Sequence, residues 1–416
     1  MQIEIVTIGN ELLGGKTVDT NFSYIAKRLS EEGYSVFQHI TIPDDPARIE
    51  HALLDALSRS SVVFTTGGLG PTLDDQTKNV LSKIFGKKLA LNNFIKEDLI
   101  NRFGKELASL EEQSTVPVDT KILKNSVGTA PGFFFEKEGK SVFVMPGVPL
   151  EMITMFEEQL LPQLRQLCKV YEPLHVQTLH LCHLIENQLD PLLRELDRRY
   201  PEVEKGIYPG YGILSIELKV KTAISANAQK TLQACTSYII NQYGTYVVST
   251  EDKSMAEVIQ EWMILHKKTL VLAESCTGGH LAAKLVDIPG ASAYFLGSIV
   301  CYHDQIKINS LCVKKETLEN YGAVSEQVVR EMVQGALKLS GADFALAVSG
   351  VAGPSGGTLE KPIGTVWCGL GTQGKEPYIG KILAKGRDKR ASVIEYTANF
   401  MLGALWRHIA YNIKPL

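Results

Sequence analysis

The chain has no uninterrupted apolar run long enough to span a bilayer, so a membrane-embedded class is not expected. It has no tract of lysine and arginine either. Its 43 basic and 46 acidic residues leave a net charge of −3, which offers a nucleic-acid polyanion no broad surface to grip. The seven cysteines (Cys168, Cys182, Cys235, Cys276, Cys301, Cys312, Cys368) are odd in number and scattered, without a Cys-x-x-Cys pair. That argues against a disulfide framework and fits free thiols in a reducing cytoplasm. Residues 1–9 lack the basic segment and long apolar stretch of a secretion signal and read as a first strand. No short internal repeat and no low-complexity segment is found. A cytoplasmic protein with neither membrane nor nucleic-acid partner is the expectation.

What is present is a regular alternation. A length of 416 residues suggests about two or three domains. In residues 1–170, short apolar runs at 3–8, 35–41, 61–66 and 141–145 alternate with helical spacing over 19–30 (Phe22, Ile25, Ala26, Leu29), 46–58 and 150–168. From 253 to 416 the rhythm returns: helix 256–266, strand 269–273, strands near 296–302, 344–348 and 364–369, and a closing helix 389–411. Residues 171–250 differ, with half-buried strands at 176–181 and 214–222 and helices at 186–198 and 227–243. The fold class expected is α/β: two α/β domains with mainly parallel sheets, joined by a small α+β middle domain.

Three loops carry chemistry. In Leu272-Ala273-Glu274-Ser275-Cys276-Thr277-Gly278-Gly279 an apolar strand stops at small and polar residues and a helical pattern follows. Glycines in such a loop expose backbone N–H groups at a helix N-terminus, a ready place for an anion. A hydroxyl there can attack a carbonyl. Downstream lie Ser292, Tyr302 and Lys307, with no histidine at an obvious triad position. A lysine can serve as base for serine only as the neutral amine, which burial or a cationic neighbour favours. The plainer reading is a helix-capping Ser/Thr, a core thiol and a surface lysine. Which serine attacks is open; Cys276 ranks last, because a residue one position along a helix start points away from its neighbour's face.

A second loop, Val348-Ser349-Gly350-Val351-Ala352-Gly353-Pro354-Ser355-Gly356-Gly357-Thr358, suits close backbone approach to a phosphate or ribose. The third, Gly67-Gly68-Leu69-Gly70-Pro71-Thr72-Leu73-Asp74-Asp75, joins a glycine turn to two carboxylates. These could hold a divalent cation, or merely cap a helix.

Together with Pro289-Gly290-Ala291-Ser292, Gly322-Ala323-Val324-Ser325 and the run from Gly350 to Gly364, the loop at 273–279 resembles the carboxyl-terminal domain of the CinA family. That domain is the nicotinamide-nucleotide amidase family. Thr7-Ile8-Gly9-Asn10-Glu11-Leu12-Leu13-Gly14-Gly15, Val18-Asp19-Thr20-Asn21, Gly128-Thr129-Ala130-Pro131-Gly132, Met145-Pro146-Gly147-Val148-Pro149-Leu150-Glu151-Met152 and the third loop resemble its amino-terminal, molybdopterin-binding-like half.

The resemblance implies hydrolysis of nicotinamide mononucleotide to nicotinate mononucleotide and ammonia, without a cofactor. It places Ser275, Ser292, Tyr302 and Lys307 on the catalytic cluster, and Glu274, Thr277, Gly278, Gly279, Gly353, Gly356, Gly357 and Thr358 on nucleotide contacts. For the amino-terminal half it implies metal-dependent ADP-ribose hydrolysis. Gly67, Gly68 and Gly70 would bind substrate, and Asp44, Asp74 and Asp75 a magnesium- or cobalt-like ion. A homodimer is implied as well. The rival expectation is a pterin-binding or molybdenum-cofactor protein with an inactive carboxyl-terminal domain.

Three departures from the family stand out. His303-Asp304 replaces Ser-Asn, Asn10 replaces an acid, and Cys182-His183-Leu184-Ile185-Glu186 replaces a Gly-x-x-Glu turn. His180, Cys182 and His183 are better explained as a strand end than as metal ligands, since no fourth ligand is nearby.

Overall fold

The protein is described from a computed structural model covering residues 2–72, 74–104, 107–167, 174–221, 225–384 and 389–416. It divides into two compact units, one running to His175 and the other comprising Val176–Val220 and Ala226–Leu416.

The first unit is built on a six-stranded sheet in the order Val36–Ile42, Ile3–Ile8, Val62–Thr66, Lys140–Met145, Gly132–Lys137 and Lys121–Leu123. The first four strands are parallel and the last two antiparallel. Alternate residues of one strand feed opposite cores. Val62 and Phe64 join Ile25, Leu29 and Met152 on one face, while Val63 joins Ile49, Leu53 and Val80 on the other. Sheets covered on both faces call for such continuous apolar strands. Helix Thr20–Glu31 starts where the Asp19 carboxylate accepts from Phe22 N, and Pro46–Arg59 where Asp45 accepts from Arg48 N. The helix expected over 150–168 is interrupted: Pro149–Met155 passes through a π turn, Phe156–Leu160, into Leu161–Leu167. Pro162 explains the break, because it has no N–H and its ring crowds the preceding turn.

In the second unit a five-stranded sheet runs Phe295–Val300, Leu270–Glu274, Phe344–Gly350, Thr365–Thr372, Tyr378–Leu383. The first three strands are parallel and the last two antiparallel. The chain turns straight back through the glycine loop after Gly350 instead of crossing over through a helix. Helices Met255–Leu265, His280–Val286 and Arg390–Tyr411 cover one face, and Glu326–Ser340 the other. The latter approaches closely because the strands facing it are small: a Cβ at Gly371 would lie 2.3 Å from Val333.

The middle segment forms its own sheet, ordered Glu204–Pro209, Ile213–Lys221, Leu174–Cys182, Val247–Ser249, with a separate core under helices Asp190–Arg199 and Ser225–Tyr243. It is bonded to the closing helix: Trp406 Nε1 donates to the Val247 carbonyl at 3.0 Å and Asn399 Nδ2 to that of Tyr211 at 2.8 Å. Among the described residues no helix is long and apolar enough to cross a membrane.

The histidines at 180 and 183 serve this packing. His180 bridges Ser215 and Asp252. The His183 ring stacks on Phe400 and donates through Nε2 to that residue's carbonyl at 2.8 Å. Burial pushes its pKa down to about 4, with the nearby Arg407 guanidinium acting in the same direction. Between pH 4 and the ordinary 6.5 the unfolded chain therefore binds the proton that the folded chain refuses. Stability supplied by neutral His183 should be intact above pH 6.5 and fade as pH falls toward 4. Denaturant melts should show this slope weakened in His183→Phe. Parallel pH profiles for the two proteins would refute it.

Candidate functional sites

In the second unit, strand register decides which sequence candidates meet. Glu274 pairs with Val300 on one side and Val348 on the other, so Ser275, Cys301-Tyr302 and Ser349-Gly350 leave the sheet at the same edge. Ser275 N donates to the Val348 carbonyl at 3.1 Å, and Cys301 N to that of Glu274 at 2.8 Å. Such an edge, beyond the carboxyl ends of parallel strands, is where α/β sheets form sites. Ser292 is not there. It precedes Phe295, which pairs with Leu270 at the other end of the strand. Five residues of strand separate the two ends by about 16 Å. Within one chain Ser275, Tyr302 and Lys307 come together, and Ser292 stays apart.

The amides of Gly278, Gly279, Leu281 and Ala282 are not free for a ligand. Gly278 N donates to the Ser275 carbonyl, while Gly279 N, Leu281 N and Ala282 N, each at 3.0 Å, and Ser298 Oγ at 2.9 Å all donate to the Glu274 carboxylate. Glu274, buried at 1% exposure, is the anion of this niche. It holds the turn in place instead of facing solvent as a nucleotide contact would. Gly278 and Gly279 supply the backbone, at φ +61° and +100°, and a Cβ on Gly278 would meet only open space. Thr277 Oγ1 is buried beside them with no hydrogen-bond partner. Cys276 is deeply buried, and burial pushes its thiol up to about 12, which removes the thiolate a cysteine nucleophile needs.

Lys307 lies on helix Asp304–Leu311 with 1% of its side chain exposed. Its Nζ donates to the Tyr302 carbonyl at 3.3 Å and to Asp304 Oδ1 at 3.1 Å. The His303-Asp304 departure is compensated locally. His303 Nδ1 caps the helix by accepting from Gln305 N, as a serine would, and Asp304 places an acid in the first turn.

Tyr302 is exposed and its hydroxyl accepts from Arg390 Nη2 at 2.8 Å, while Arg390 Nη1 donates to the Gly353 carbonyl at 3.1 Å. Lys307, through the Tyr302 carbonyl, and Arg390, through the Tyr302 hydroxyl, both meet the segment that leaves the sheet beside Ser275. Sequence reading missed Arg390. Its signal in the sequence is the basic run Lys385, Arg387, Lys389, Arg390.

In the second glycine loop, Gly350 and Gly353 are needed for close approach, since added Cβ atoms would lie 2.7 Å from the Thr365 carbonyl and from Ile363. Gly356, Gly357 and Thr358 are exposed, and Thr358 Oγ1 is used within its own turn by Lys361 N at 3.0 Å.

The third loop opens a cavity of about 490 Å³ in the first unit, lined by Gly67, Gly68, Gly70, Asp44, Asp74 and Asp75 among others. Gly67 sits at φ +106°, where a Cβ would lie 2.1 Å from the Ile8 carbonyl. Gly70 leaves room for the Asp75 carboxylate, which accepts from the backbone N–H and the hydroxyl of Thr72. Asp44 accepts from Asn10 N at 2.9 Å, a backbone contact that does not depend on the side chain at position 10. Burial pushes the Asp44 carboxyl up against that bond, and Glu11, Asp74 and Asp75 add to the rise.

Two further acids line the cavity, Glu11 and Glu151, both within the family-like segments though neither is among the expected metal ligands. Glu151 accepts from Asn125 Nδ2 at 2.6 Å, and a Cβ on Gly128 would collide with it. Among the described residues no three His, Cys, Asp or Glu side chains stand close enough to cage a metal ion. The donors are nonetheless all hard oxygens, and their mutual repulsion is what a cation would relieve. That fits an ion held by one or two carboxylates with substrate phosphates, as magnesium is.

Residues 4–166 match the family profile described as a probable molybdopterin binding domain, and residues 252–409 the CinA C-terminal domain. A CinA-like protein of Dictyoglomus thermophilum is 36% identical over 382 residues, 91% of this chain and 92% of its own. A putative competence-damage inducible protein of a Thermoanaerobacter species is 37% identical over 93% of this chain and 94% of its own. Among solved structures, the competence/damage inducible protein CihA from Agrobacterium tumefaciens is 36% identical, covering 38% of this chain and 94% of that one at a TM-score of 0.36.

Proposed function

Since this chain belongs to the CinA family, we propose that it is a hydrolase of pyridine-nucleotide salvage with two sites, one deamidating nicotinamide mononucleotide and one cleaving ADP-ribose. The observation that carries the first is that Ser275 and Tyr302 leave the sheet at one edge, where Tyr302 is bonded by both Lys307 and Arg390, with a buried, unpaired Thr277 hydroxyl on the same turn as Ser275. A buried hydroxyl without a partner costs free energy until a ligand supplies one.

Ser275 Oγ adds to the carboxamide carbon and Lys307 Nζ takes the hydroxyl proton. The same proton passes to the amide nitrogen, which leaves as ammonia. Water then attacks the Ser275 ester as Lys307 takes its proton, and Lys307 returns that proton to Ser275 Oγ as nicotinate mononucleotide leaves. Arg390, tied to Tyr302 and Gly353, offers its guanidinium to the nucleotide phosphate. Full-length protein incubated with nicotinamide mononucleotide should release ammonia and nicotinate mononucleotide in equal amounts. No ammonia would end this reading.

In the first unit, Gly67, Gly68 and Gly70 let the diphosphate of ADP-ribose approach the backbone, and Asp44, Asp74 and Asp75 face it. A bound divalent cation would offset the charge of those phosphates. Asp75→Asn should keep the Thr72 turn, because the amide oxygen still accepts from Thr72 N. It should lower metal-dependent hydrolysis of ADP-ribose at least tenfold, on the order of one lost charge at a ligand. Unaltered metal dependence would leave Asp75 with the turn alone. The second reading, a pterin held without turnover, is favoured by the description of the amino-terminal profile. It predicts pterin binding with ADP-ribose left intact.

A further inference from the structure

A second, smaller cavity of about 140 Å³ adjoins the acidic one in the first unit. Its walls are chiefly apolar, formed by Phe94, Ile95, Leu99, Ile122 and Pro131. The two cavities share a wall: Thr129 lines both, and Asn125, which lines the smaller, donates to Glu151 of the larger at 2.6 Å. Arg102 marks the same boundary, donating through Nη1 to the Gly128 carbonyl at 3.0 Å. Charge is nearly balanced there. Asp98 is held by Arg102 at 2.9 Å and by Lys124 at 3.0 Å, which leaves one positive charge in excess at the lip.

Phe94 is the anomaly. It is the second residue of helix Asn93–Phe103 and is 77% exposed, whereas Leu99 on the same helix is buried at 1%. A large aromatic on the wall of an apolar hollow, left wet by its own fold, is surface suited to a flat partner. The acidic cavity has five carboxylates and no aromatic side chain among its described lining residues.

We propose that the smaller cavity receives the purine base of the nucleoside diphosphate whose diphosphate occupies the acidic cavity, with Phe94 stacking on the ring and Arg102 and Lys124 beside the phosphate next to it. This rests on the ADP-ribose reading of the first unit and extends it: substrates should be selected for a flat base at one end of the diphosphate. Phe94 touches substrate without taking part in bond breaking.

The test compares full-length wild type with Phe94→Ala, whose exposed site makes loss of folding no concern. KM for ADP-ribose should rise about tenfold with kcat unchanged, the scale of losing one base–aromatic contact. Inhibition by the product AMP should weaken equally, and inhibition by ribose 5-phosphate, which has no base, should not change. An unchanged KM, or a fall in kcat with KM constant, would overturn the proposal. Should wild type leave ADP-ribose intact, the hydrolysis reading fails on its own, and calorimetric titration with AMP still decides the cavity. AMP binding that weakens in Phe94→Ala supports the base site; absent binding, or binding indifferent to Phe94, overturns it.

Discussion

Replacing Lys307 with methionine is expected to slow ammonia release from nicotinamide mononucleotide by about 10²–10⁴-fold, the usual worth of a positioned general base. Binding of the nucleotide, read by calorimetry, should persist. Lys307 is buried at 1% exposure, yet its carboxylate partner Asp304 is 52% exposed. Removing the amine therefore leaves an acid that water can solvate, not a stranded buried group. Methionine is unbranched and of similar length, so the apolar stem of the lysine is replaced without an obvious hole. The fold should survive and the rate should not. Wild-type turnover in this variant would exclude a Ser–Lys mechanism and leave water held by other groups as the attacking species, since the thiol of Cys276 is pushed up to about 12 by its burial.

The largest effect should come from Ser275→Ala, which removes the attacking oxygen; losses on the order of 10³–10⁶-fold follow when a nucleophile is deleted. Ser292→Ala is expected to keep most of the rate, because Ser292 stands at the opposite end of the strand from Ser275. The pair of variants is more informative than either alone. An inactive Ser292→Ala with an active Ser275→Ala would reverse the assignment and require Ser292 to reach a site from a second copy of the chain. Mass spectrometry of enzyme quenched during turnover should find the nicotinoyl nucleotide on the peptide containing Ser275.

Much of this architecture was legible in the amino-acid order, and the legible parts share a property. Helix starts at Asp19, Asp45 and Ser254 are written in a few neighbouring residues, as are the apolar runs of strands 3–8, 62–66 and 270–274. The glycines at 67, 68, 278 and 279 belong to the same class, since positive φ is a requirement of each position taken alone. Periodicity, capping and turn chemistry act over one or two turns of chain, so a sequence displays them directly.

The rest was settled through space. Ser275 and Ser292 are equally plausible in the sequence, and only parallel register puts one at the site edge and the other at the far end. The loop after Glu274 reads as an anion niche, which it is, but packing puts the chain's own carboxylate there. Arg390 reaches Tyr302 from 88 residues away, and Glu11, Asp44 and Glu151 line one cavity from three separate segments of the first unit. Even the sheet of the second unit changes from parallel to antiparallel because one loop turns back where a crossover helix was an equal possibility. Local conformational preference selects elements one at a time. Register, burial of a particular charge and the meeting of distant side chains are properties of the packed whole, where the free energy of each placement depends on every neighbour it displaces from water.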